Sequence, residues 1–157
     1  MVELVLDSPA SLLDMADIHG RMTPLMWDIC REMWREGRTW SLTIDGELAG
    51  VFGMYPVEGG AEAWFNVRPI AARNMLFVCR QIRLTLDALD YPEIVVFCET
   101  EAGRRIAALS GFHFATHLEQ REIWRYGKAI RWRQRFSEGV SGPSEAAAAT
   151  AAAASVG

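Results

Sequence analysis

With 157 residues, the chain is long enough for one domain with its own core. Half of its residues are hydrophobic and 23% are charged, and the net charge is −4. That is the balance of an ordinary globular protein, with no electrostatic footprint for nucleic acid. No stretch approaches the roughly 18 apolar residues of a membrane span, and M-V-E-L-V-L-D-S-P has neither the basic nor the apolar part of a leader, so the sequence predicts an intracellular protein.

Ser8-Pro9 reads as a cap and first-turn pair, followed at helical spacing by Leu12, Leu13, Met15, Ala16 and Ile18 up to Gly20. Thr23-Pro24 repeats the signal. A second helix then carries Met26, Ile29, Cys30, Met33 and Trp34 on one face and ends at Gly37. From Trp40 the period changes to two, and W-S-L-T-I and E-L-A-G-V-F-G-M-Y flank Asp45-Gly46, the strongest short hairpin signal.

After the Gly59-Gly60 turn, residues 61–67 form a third strand. Residues 74–89 return to helical spacing through Leu76, Phe77, Cys79, Ile82, Leu86 and Leu89. Past Tyr91-Pro92, the apolar run E-I-V-V-F-C predicts a central strand buried on both faces. Thr100 caps a helix that Gly111 closes, and H-F-A-T-H-L and E-I-W-R-Y make a last antiparallel pair. The predicted order is α-α-β-β-β-α-β-α-β-β.

Residues 1–127 thus make the folded domain. Residues 128–136 form a basic aromatic segment, in which Lys128, Arg131, Arg133 and Arg135 alternate with Trp132 and Phe136. Residues 137–157 are a low-complexity, alanine-rich tail expected to be disordered alone. The basic segment suits an acidic protein surface better than phosphate, because the rest of the domain is acidic. Cys30, Cys79 and Cys98 are odd in number, far apart and set in apolar surroundings, so they read as core residues rather than disulfide or metal ligands.

The element order, with T-E-A-G-R-R-I-A-A-L-S-G-F-H-F as its most specific piece, resembles the GNAT acyltransferase superfamily over roughly residues 4–126. The resemblance implies a mixed α/β (α+β) fold with a mostly antiparallel sheet flanked by helices. In length, and in W-F-N on the strand at 61–67, the chain is also similar to GNAT-like internal virion proteins of tailed podophages.

In the superfamily, an Arg/Gln-x-x-Gly-x-Gly/Ala loop after that strand holds the pyrophosphate of acetyl-CoA. Arg73 fits its first position, but Leu76 and Val78 occupy the two small ones, where they would obstruct close approach to backbone amides. The resemblance implies Val67, Arg73, Asn74 and Thr100 as cofactor contacts, Thr100 standing where an Asn is frequent. The tyrosine that often protonates the leaving thiolate aligns with Ala107.

Glu62 lies where many members carry the glutamate that deprotonates the attacking amine. A lone Glu on a strand beside a hairpin is more often a solvated face residue. His113 and His117 are spaced to share one face of their strand. The large set of tryptophans reads mainly as core, and any left exposed would mark a partner surface.

Two functions follow as expectations. One is a non-catalytic GNAT-fold component of a phage particle or its assembly, without cofactor, engaging other proteins through residues 128–157 and residing in a virion or host cytoplasm. The other is an acetyl-CoA-dependent N-acyltransferase with a divergent pyrophosphate loop.

Overall fold

The computed structural model describes residues 2–127; the expectations for 128–136 and 137–157 lie outside them. A seven-stranded sheet has the order β1-β2-β3-β4-β5-β7-β6. It is antiparallel except between β4 (Gly60–Val67) and β5 (Ile94–Cys98), which run parallel.

The first element corrects the predicted order. Leu4–Asp7 is a strand, β1, paired with β2 (Arg38–Ile44) at the sheet edge. Four residues with alternate burial carry too little periodic signal to stand out from a coil. The cap also moves. Helix α1 (Leu12–His19) starts at Ser11, whose side chain accepts from the Asp14 amide, whereas Ser8 Oγ donates to the Thr39 carbonyl. Helix α2 (Pro24–Glu36) has the predicted Thr23 cap and ends at Gly37.

The Asp45-Gly46 hairpin joins β2 to β3 (Glu47–Val57), with both turn residues at positive φ (51° and 80°), as a type I′ turn requires. A 3-10 turn over Pro69–Asn74 leads into α3 (Met75–Asp87); α4 (Glu101–Leu109), β6 (Phe112–Leu118) and β7 (Arg121–Tyr126) complete the chain.

Alternation along the strands divides the core by sheet face. On one side Leu42, Met54, Ala63 and Val96 meet Val78, Ile82 and Leu86 of α3 and Ile106 of α4. On the other, Val51 and Trp64 meet Met15 and Ile18 of α1 and Cys30 and Met33 of α2. The Trp64 ring lies across Gly53, its cross-strand partner: a Cβ at residue 53 would come within 2.6 Å of it.

Strand β5 is central, but it is not buried on both faces. Ile94, Val96 and Cys98 are buried, whereas Val95 and Phe97, on the face that carries Glu62 and Trp64, are partly exposed. The histidines also depart from expectation. A bulge between Phe114 and Thr116 shifts the register, so His113 pairs across from Arg125 and His117 from Glu122. One inserted residue sends the two rings to opposite faces.

Candidate functional site in the gap between β4 and β5

The two parallel strands touch only at their beginnings. Gly60 allows this approach, since a Cβ there would sit 2.1 Å from the Glu93 carbonyl oxygen. The Ala61 amide donates to that oxygen at 2.9 Å, and the ladder runs through Ala61↔Ile94 to Ala63↔Val96. Pairing then stops, although β4 continues to Val67 and β5 to Cys98. Because backbone direction alternates, the main-chain groups of Phe65 and Val67 point toward β5 as those of Ala61 do, but into a gap.

A cleft of about 160 Å³ opens there. The β4 residues from Glu62 to Val67 line one wall, and Val96 to Thr100 with Ala102 and Gly103 of the first turn of α4 line the other.

Glu62 sits at the closed end of this cleft. It is 2% exposed, so it is not the solvated face residue that its position beside a hairpin suggested. Its Oε2 is buried and has no hydrogen-bond partner among the described residues. Burial pushes the carboxyl up to about 8, opposed by the positive charge of Arg121. The Arg121 guanidinium lies 5.4 Å over the Phe97 ring and 3.6 Å from a Glu99 oxygen.

Trp64 and Asn66 follow Glu62 on the same face of β4. The Trp64 Nε1 is also buried without a partner, and Asn66 Nδ2 lies 3.4 Å from His19 Nδ1. Burial lowers the His19 ring from the ordinary histidine value, favouring its neutral form. The Arg68–Asp17 ion pair, at 2.7 Å, ties the end of α1 to the chain just beyond β4.

No protein-family model matches the sequence, and no curated protein is similar to it at a significant level. Solved structures do match. The N-acetyltransferase PseH of Campylobacter jejuni, in complex with acetyl coenzyme A, aligns with a TM-score of 0.57 at 7% identity, covering 81% of this chain and 100% of that one. A chimera of the spermidine N-acetyltransferase SpeG from Vibrio cholerae and hSSAT aligns at 0.58 and 13% identity, covering 83% and 98%. The chain has the GNAT fold. At such identities the likeness is one of backbone architecture.

Within that GNAT fold, the four expected cofactor contacts divide. Val67 and Thr100 line the cleft, with Thr100 Oγ1 engaged in capping α4 by accepting from the Gly103 amide at 3.0 Å. Arg73 and Asn74 lie outside the cleft lining, at the end of the 3-10 turn. Arg73 is exposed, and the Asn74 side chain makes no capping bond at the start of α3.

The two supposed obstructions also differ. Val78 is in the core beneath α3 and does not face a ligand, whereas Leu76 extends into solvent at the helix start. Ala107, aligned with the family's tyrosine, is fully buried. Among the described residues no cluster of His, Cys, Asp or Glu is placed to hold a metal ion.

Alternation along β4 is the signal that could have grouped Glu62, Trp64 and Asn66. Sequence reasoning missed His19 and Arg121, because their proximity depends on how α1 and the β6–β7 hairpin pack.

Proposed function

We propose that the protein is an acyl-CoA-dependent N-acyltransferase with Glu62 as its general base. The observation that carries this reading is the carboxyl itself: buried, with one oxygen lacking a hydrogen bond among the described residues, held near 8, and set where two parallel strands separate. A structural carboxylate at such depth would ordinarily be paired, whereas a base working near neutral pH needs a raised pKa.

The residues present fit acetyl-CoA in two parts. The unpaired main-chain groups of Phe65 and Val67 would hold an extended, amide-containing arm as an added strand would be held, against the small Ala102 and Gly103 opposite. The uncapped start of α3, with Arg73 beside it, would hold phosphates, and Leu76 would have to swing aside. When bound, the cofactor supplies an activated acyl group as a thioester. Glu62, once ionised, takes a proton from the acceptor amine as its nitrogen becomes nucleophilic, and the closed end of the cleft excludes water from that exchange.

Isothermal titration with acetyl-CoA tests the reading, together with a thiol-release assay over an amine panel. The expected result is saturable binding by both the wild type and Glu62→Gln, with turnover lost about 100-fold or more in the variant. Turnover should rise with pH through a midpoint near 8. Absence of binding at millimolar cofactor overturns it.

That result would favour the second reading, a non-catalytic interaction component, for instance of a phage particle or its assembly. The exposed apolar start of α3 is the observation on its side.

A further inference from the structure

The outward face of α3 is open along its apolar residues and is met by Tyr126 only near its C-terminal end among the described residues. Leu76, Phe77 and Leu84 are 73%, 62% and 52% exposed. At 100° per residue, these three and Arg80, Arg83 and Asp87 fall within an arc of about 120°. Arg73, one turn before Phe77, leads into the same arc. Arg73, Arg80 and Arg83 are all exposed, and none forms an ion pair with a described residue. The acid in the arc, Asp87, accepts from the Tyr126 hydroxyl, and Asp90 lies beyond the helix end. The positive end of the helix dipole lies at the Leu76–Phe77 turn.

We propose that α3 is a docking face for an anionic lipid bilayer, lying flat on it with Leu76, Phe77 and Leu84 inserted among the acyl chains and Arg73, Arg80 and Arg83 at the headgroups. Three observations select this occupant. The apolar side chains protrude from a convex helix rather than line a groove, so a deformable surface meets them better than a rigid protein face does. Apolar tips interleaved with cations on one face are the pattern of interfacial helices. The exposed arginines, without an ion pair among the described residues, complement the negative charge that the headgroups of an anionic leaflet supply.

The sequence is consistent with the placement. Tyr126 is hydrogen-bonded to the Arg83 carbonyl and to Asp87, so the last described strand ends beside this face. Lys128, Arg131, Arg133 and Arg135 follow in the sequence with Trp132 and Phe136. Docking on a surface is distinct from crossing it: no described helix is long and apolar enough to span a membrane. The proposal does not depend on acyl transfer.

Co-sedimentation of the full chain with vesicles tests it, comparing phosphatidylglycerol-containing vesicles with pure phosphatidylcholine. The double variants are Leu76→Ser/Phe77→Ser and Arg80→Glu/Arg83→Glu, with Arg31→Glu on α2 as a control for charge reversal on another face. All these positions are exposed, and melting curves verify that each variant is folded.

The expected result is binding to the anionic vesicles alone, weakened at least about tenfold by either α3 pair and less than about twofold by Arg31→Glu. Failure to bind anionic vesicles overturns the proposal, and so does any smaller effect of either α3 pair. Binding to an acidic polypeptide that ignores the Leu76→Ser/Phe77→Ser change likewise overturns it, by assigning the arginines to a protein partner.

Discussion

The two halves of β4, Gly-Ala-Glu-Ala and Trp-Phe-Asn-Val, behave differently. From Gly60 to Ala63 the strand is paired on both edges, and its approach to Glu93 is so close that no side chain fits at residue 60. From Phe65 to Val67 it is paired only with β3, and its free edge looks into the cleft. The contrast shows that the cleft arises from a tight junction at one end: two strands held together there diverge as sheet twist accumulates.

The severest way to break that contrast is Gly60→Ala. Its Cβ would collide with backbone, so the junction must open, and we expect a loss of about 3 kcal/mol or more in denaturant unfolding. A loss under about 1 kcal/mol would mean that the junction yields and does not set the cleft.

Glu62→Gln probes the same end through pH. The carboxyl ionises near 8 in the folded state and near 4.5 in its ordinary state. Between those values the unfolded chain releases a proton that the folded chain keeps, so this group makes the wild type less stable as pH rises through that window. The variant lacks the group. Its stability relative to wild type should therefore grow from pH 4.5 to 8 and then level off, by about 2 kcal/mol after allowance for water penetration. Melting curves at several pH values check the sign; parallel curves would place the carboxyl in solvent.

Val78→Ala and Leu76→Ala sharpen the comparison at the cofactor end. Val78 is in the core, and its truncation should cost about 2 kcal/mol. Leu76 stands in solvent, and its truncation should change stability by less than about 0.5 kcal/mol while strengthening acetyl-CoA binding, a change that calorimetry reads directly. Equal costs at the two positions would show that α3 is rotated relative to the sheet.

Much of this architecture is legible in the sequence because it is encoded locally. Asp45-Gly46, the Thr23 and Thr100 caps, and the shift of period at Trp40 are each set by residues within a turn of one another. Strand β1 was hidden because four residues borrow their structure from β2. The opposed His113 and His117 rings were hidden because a bulge is a property of a strand pair. At the site, Glu62 was legible as a position and not as an environment. Its burial depends on packing from distant parts of the chain, and Arg121 reaches the same region from the last strand.

The ring of Trp64 resting on the bare backbone of Gly53 couples these two positions as a single unit of inheritance. A side chain at residue 53 is admissible only after residue 64 shrinks, and a smaller residue 64 leaves a void over residue 53 until something fills it. Either change alone is a step downhill in fitness. The pair should therefore change together or not at all, and a double-mutant cycle of Gly53→Ala with Trp64→Leu should show favourable coupling of about 1 to 3 kcal/mol.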